Sequence, residues 1–248
     1  MTDDRYVDRV AVVTGGSRGI GRQTVERLAR DGYRVVVNYA GSKSGAEDAV
    51  AAVAAEGGTA IAVRADVADE VAVAAVFDRA EESFGGVDVV VHAAGRMALG
   101  PLVDFDLAAL DDLHRTNIRG TFVVDQQAAR RVRPGGAIIN FSTSVVGTSF
   151  PEYSAYAASK GAVEAITMIV ARELRGRDVT VNAVAPGPTA TELFLDGKDE
   201  QTVARLAAAV PLERLGTPAD IAEVVAFLAG PAGHWVNGQN IRINGGLV

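Results

Sequence analysis

Cysteine is absent from the 248 residues, which excludes disulfides, thiol nucleophiles and thiolate metal sites. Histidine is almost as scarce, and His92, His114 and His234 have no metal-ligand spacing, so no metal is expected. Of the 24 cationic residues only Lys43, Lys160 and Lys198 are lysines, so each invites a chemical reason for its presence. Positive charge is outweighed overall, with a net charge of -7 and a pI near 5.0, which argues against clustered phosphate contacts and a nucleic-acid partner. The segment Met1–Asp8 is charged and lacks the long apolar run of a signal peptide or membrane span. The expectation is a cytoplasmic protein with no membrane partner.

What the chain does have is apolar material, 48% of its residues, enough for one large core. Strand-like runs at Val10–Val13, Val35–Val37, Ile61–Val63, Val87–Val91, Ala137–Phe141, Val179–Val184 and Gln239–Ile243 alternate with helix-like segments. They are apolar on both faces, as buried parallel strands must be. The fold class expected is therefore α/β: one Rossmann-like, doubly wound domain over 1–248, with a seven-stranded parallel sheet and helices on both faces. Ser44 and Glu47 have capping-box spacing, Thr217-Pro218 with Asp220 marks another helix start, and Gly32 and Gly230 sit where helices should stop. The least regular stretch, about 188–211, reads as a flexible substrate flap whose Leu193, Phe194 and Leu195 suit an apolar contact or the core.

After the first strand comes Thr14-Gly15-Gly16-Ser17-Arg18-Gly19-Ile20-Gly21, followed by a helix with Val25, Leu28 and Ala29 on its apolar face. Glycines here let the backbone turn sharply and approach a pyrophosphate, and the helix N-terminus offers free N–H groups and a positive dipole end. About 20 residues further on, a carboxylate would receive the ribose hydroxyls of NAD. The segment there is Asn38-Tyr39-Ala40-Gly41-Ser42-Lys43, with no Asp or Glu from Tyr33 through Ala46. Ser42, Arg18, Lys43 and backbone amides suit a 2′-phosphate instead, so NADP(H) is the expected cofactor, with acceptance of NAD as the alternative.

Tyr156-Ala157-Ala158-Ser159-Lys160 opens a helix running towards Leu174, and its first and last side chains share one face. Bringing a phenol from a pKa near 10 to about 7 needs about 4 kcal/mol. An ammonium about 4 Å away supplies roughly that at an effective dielectric of about 20. Tyr156 would then protonate a carbonyl oxygen, or take the alcohol proton in reverse, with Lys160 lowering its pKa. Upstream, Ser142-Thr143-Ser144 offers hydroxyls to steady the substrate oxygen, although such a cluster also suits a cap or turn.

These residues together resemble the short-chain dehydrogenase/reductase family over nearly the whole chain. The motifs recur in order: the glycine loop, Asp66-Val67, His92-Ala93-Ala94-Gly95, Asn117, the hydroxyl cluster, Tyr156 with Lys160, Pro186-Gly187, Gly238-Gln239 and Gly245-Gly246. The resemblance implies that Asp66 and Val67 flank the adenine and that Ala93, Ala94 and Gly95 pass beneath the cofactor. It also implies that Pro186, Gly187, Thr189 and Thr191 meet the nicotinamide end, and that Asn117 holds a water linking Lys160 to solvent. His92 stands where the family often has asparagine, a change in hydrogen bonding between strands. The usual serine-to-tyrosine spacing lands on Thr143, whereas residue type and context favour Ser144, with Ser142 a third choice.

Within the family, Asn38–Ser42 and Trp235–Gln239 are similar to 3-oxoacyl reductases and the polyhydroxynaphthalene reductase group. The activity implied is interconversion of a ketone and a secondary alcohol on a small molecule. An alcohol or sugar dehydrogenase, and a non-catalytic NADP-binding sensor, are the alternatives. Relatives commonly form homotetramers or dimers through helices near Asn117 and Tyr156 and through the C-terminal strand, which sets the expected assembly.

Overall fold

The computed structural model describes residues 9–248, so the charged segment Met1–Asp8 lies outside the described residues. Seven strands form one parallel sheet: β1 (Val10–Thr14), β2 (Arg34–Tyr39), β3 (Ala60–Arg64), β4 (Val87–His92), β5 (Val132–Phe141), β6 (Val179–Pro186) and β7 (Asn240–Ile243). Their spatial order, β3-β2-β1-β4-β5-β6-β7, reverses direction between β1 and β4. That reversal opens a crevice at the carboxyl ends of the two strands, the place where doubly wound sheets bind ligands.

Side chains alternate across the sheet and build two cores. Ala11, Val13, Val35 and Val37 join one core with α1 (Gly19–Arg30), α2 (Lys43–Ala55) and α10 (Pro218–Ala229). Val10, Val12, Val36 and Val90 face the other, against α3 (Glu70–Phe84), α5 (Gly120–Arg131) and α7 (Ser154–Glu173). The remaining helices are α4 (Leu107–His114), the short α6 (Val145–Thr148), α8 (Glu192–Leu195) and α9 (Glu200–Ala208). Between α4 and α5 the residues Arg115–Arg119 form a π-helical turn with Asn117 buried at its centre.

Two local expectations change. The cap of α2 is Ser42, whose Oγ accepts from the Gly45 N–H; Ser44 lies inside the helix, and Glu47 pairs with Lys43 at 3.5 Å. The turn at Ala40–Gly41 delivers the chain to the helix two residues earlier than the capping-box spacing suggests. β5 begins at Val132 rather than Ala137, because Val87 pairs with Val132 and Val89 with Ala137 across an irregularity. Pro134 and the two glycines after it hide that start from the apolar pattern. The capping box of Thr217 and Asp220 is present as expected. The stretch expected as a flap contains α8 and α9, and Leu193 and Leu195 are partly exposed, so neither is core. Among the described residues no helix is long and apolar enough to cross a membrane.

Candidate active site

A cleft of about 690 Å³ opens over the carboxyl ends of the central strands. Its floor is the turn from β1 into α1. Gly15 adopts φ +65, and a Cβ there would stand 2.9 Å from the backbone N and Cα of Ala94. A Cβ on Gly21 would stand 2.2 Å from the Gly15 carbonyl oxygen. Gly15 and Gly21 are thus packed too tightly for side chains, and the loop carries the N-terminus of α1 up to the cleft with no acidic residue in that helix's first turn. The Gly16 N–H donates to the Asn38 carbonyl at 3.0 Å, tying the loop to the end of β2. Asn38 uses its amide on the Val63 and Ala65 carbonyls, so it meets the cleft as a brace rather than as a free donor.

Most residues expected around a cofactor line this one cleft, from Gly15, Ser17, Arg18, Gly19, Ile20 and Gly21 through Asn38–Ser42, Asp66, Val67, Ala93–Gly95, Pro186, Gly187, Thr189 and Thr191, whereas Lys43 lies just outside its lining. Thr143, Ser144, Tyr156 and Lys160 line it too. Asn117 does not; it lies behind Gly95. Its Oδ1 accepts from the Arg96 N–H at 2.9 Å, and its Nδ2 donates to the Arg96 carbonyl and to Ser159 Oγ. A Cβ on Gly95 would stand 3.4 Å from both Asn117 Oδ1 and Lys160 Nζ, so the two polar atoms converge on one small space. Ser159 Oγ in turn donates to the Tyr156 carbonyl, which couples the π turn to the start of α7.

The hydroxyl cluster divides its work. Ser142 Oγ donates to Glu164 at 2.6 Å. Ser144 Oγ donates to the Ala185 carbonyl and accepts from Asn244 Nδ2, fastening β5 to β6 and the C-terminal turn. Thr143 is the member close enough to the Tyr156 side chain to oppose the effect of burial on the phenol, and its Oγ1 also accepts from the Val145 N–H at 3.3 Å. Both candidates for the catalytic hydroxyl thus also hold local structure, Thr143 at the Val145 N–H and Ser144 at Ala185 and Asn244.

The electrostatics differ from the expectation for a phenol lowered to neutrality. Burial pushes Tyr156 up to about 12, against the opposing effect of the Thr143 hydroxyl. Burial likewise pulls Lys160 down to about 8, and its Nζ donates to the Phe141 carbonyl at 2.7 Å. Desolvation governs both groups, in place of the Coulomb gain expected for a pair in a polar medium. His92 is held neutral: burial, and then the nearby Lys160 charge, lower it to about 3. Its Nδ1 lies 2.8 Å from Thr14 Oγ1, which also accepts from the Ala94 N–H, so His92 braces β4 against β1 under the cleft floor.

Several lining residues escape the motif reading: Arg96, Arg115, Phe150, Tyr153, Leu206 and Leu247. Tyr153 alone carries a signal, one helical turn before Tyr156. A fold of this order with a glycine loop and a tyrosine–lysine helix at one crevice defines a dinucleotide-binding α/β protein.

Residues 15–248 match the family model described as enoyl-(acyl carrier protein) reductase. A short-chain type dehydrogenase/reductase of Picea abies is 43% identical, covering 97% of this chain and 92% of its own. The NADPH-dependent aldehyde reductase-like protein, chloroplastic, of Arabidopsis thaliana is 41% identical, covering 97% of this chain and 94% of its own. A solved short chain dehydrogenase from Burkholderia cenocepacia, in complex with NADP, superposes with a TM-score of 0.92 at 39% identity over 98% of this chain and 99% of its own. The chain belongs to the short-chain dehydrogenase/reductase family.

Proposed function

We propose that this chain is an NADP(H)-dependent oxidoreductase that interconverts a ketone and a secondary alcohol, with Tyr156 donating and accepting the proton. The observation that carries the reading is a half-buried phenol beside the Thr143 hydroxyl, in the same cleft as a turn whose Gly15 and Gly21 leave no room for a Cβ. NADP(H) fits that loop, and it is also what the Arabidopsis and Burkholderia relatives are named for.

The dinucleotide supplies or receives the hydride when bound. Everything else falls to the protein. Ser42 caps α2, whose first turn has no acidic residue, and so offers a 2′-phosphate a hydroxyl and a positive helix end. Arg18 and Lys43 are exposed beside it; their pairs with Glu192 and Glu47, at 3.7 and 3.5 Å, are long enough to yield to a phosphate in contact. Thr143 steadies the substrate oxygen, Tyr156 passes the proton to it, and the space shared by Asn117 and Lys160 suits a water that returns a proton from solvent. With NADPH and NADH compared at equal concentration, kcat/KM for reduction should be at least tenfold higher with NADPH; preference for NADH would overturn the assignment of Ser42, Lys43 and Arg18.

Because burial holds Tyr156 near 12, the phenol carries its proton across the neutral range, while the Lys160 ammonium is present below about 8 and lost above it. Reduction should therefore be level from weakly acidic to neutral pH and decline above about 8. A profile that stays level to the far alkaline limit would remove Lys160 from the rate.

The assembly we propose is a homotetramer in which α5 and α7 meet their copies, since Phe122, Met168 and Ile169 are 59%, 50% and 57% exposed on those helices. Light scattering should report four chains, and Phe122→Glu with Met168→Glu should yield smaller species.

A further inference from the structure

Resting on the reductase reading above, we propose that the substrate is a free, uncharged, ring-bearing ketone seated against Phe150 and Tyr153, and that Phe150 sets this selectivity. A row of rings leads outward from the half-buried Tyr156. Tyr153 stands 6.4 Å from Tyr156 in edge contact, and Phe150 a further 6.1 Å away, tilted by 58°. Flat ligands find edge and face partners in such a row that a linear chain does not. Met97, Phe194, Leu206 and Leu247 add apolar wall that the dinucleotide motifs do not claim.

Phe150 is placed there by a costly piece of backbone. Ser149 and Glu152, on either side of Phe150-Pro151, adopt φ 54 and 69, a region that favours glycine. The Glu152 carbonyl accepts from the Gly100 N–H at 3.0 Å, fastening the turn to the loop after Gly95. Ser149 is the left-handed cap that ends α6, so the backbone cost of holding Phe150 toward the cleft falls on Glu152.

Charge points the same way. An acyl chain delivered on an acidic carrier or a phosphorylated thiol cofactor needs a positive field at the cleft mouth. Here the three arginines of the lining arrive with carboxylates: Arg18 with Glu192 at 3.7 Å, Arg96 with Asp112 at 3.5 Å and Arg115 with Asp66 at 2.6 Å. Such exposed pairs give way to a phosphate in direct contact, but they cancel the long-range field, and the net charge of -7 repels an acidic partner.

The test uses the full chain with NADPH near neutral pH, following cofactor absorbance with α-tetralone, decan-2-one of equal carbon number, and acetoacetyl-coenzyme A. The bicyclic ketone should exceed both others in kcat/KM by roughly tenfold or more. Phe150→Ala should shrink the ratio of bicyclic to linear ketone about fivefold. Phe150→Leu, which keeps an apolar side chain on the strained turn, should shrink it as well and serves if the alanine variant misfolds. A preference for acetoacetyl-coenzyme A, or a ratio unmoved in the folded variants, would overturn the inference. Failure of every carbonyl with wild-type protein would instead overturn the reductase reading beneath it.

Discussion

Replacing Tyr156 by Phe should lower kcat for carbonyl reduction by roughly 10²- to 10⁴-fold while the affinity for NADPH stays within about twofold. The substitution removes one oxygen from a ring that is otherwise retained, so the packing at the start of α7 is kept. What disappears is the proton beside Thr143. Burial holds that proton on the phenol at about 12, so at neutral pH the group is loaded as an acid, and a water in its place would not be held in the phenol's position. Steady-state oxidation of NADPH and a fluorescence titration of NADPH binding separate the two effects. Near-wild-type turnover would take Tyr156 out of the chemistry; weakened binding with kcat unchanged would make it a cofactor contact only.

Gly21→Ala should abolish NADPH binding at concentrations about 100-fold above the wild-type Kd. The added methyl would overlap the Gly15 carbonyl oxygen at 2.2 Å and its carbon at 2.8 Å, and both belong to backbone. Gly15 cannot recede, because it already lies against Ala94, which Thr14 and His92 hold in place. The only relief is to move the first turn of α1, and with it the N–H groups that face the cleft. Circular dichroism should show a folded protein and the titration no saturation. Binding within a few-fold of wild type would mean that the loop is softer than its contacts indicate.

The sheet and the glycine loop are legible in the sequence because they rest on short-range regularities. Buried parallel strands leave apolar runs, and a glycine-only turn between strand and helix serves few purposes besides holding a phosphate. The hydroxyl assignment is not legible, since Ser142, Thr143 and Ser144 differ in what they touch across the fold: Glu164 on α7, Tyr156, and Ala185 with Asn244. The acidity of Tyr156 is hidden for the same reason. Coulomb's law applied to sequence spacing sees the ammonium but not the desolvation of both groups, nor that Lys160 spends a proton on the Phe141 carbonyl. Of the aromatic row only Tyr153 is signalled, by its spacing to Tyr156; Phe150 is not, because it sits on a turn that carries no glycine to announce it.

The π turn at Arg115–Arg119 makes α4 and α5 one rod with a surplus residue. Each helical residue advances the face by about 100°, so excising a single position here would restore regular winding and rotate Arg115 and Asn117 relative to one another by that amount. Either the latch on Asp66 or the clamp on Gly95–Arg96 would be lost. Length in this stretch is therefore under tighter constraint than side-chain identity, and sequences differing by one residue between positions 107 and 131 should not be able to build the same cleft.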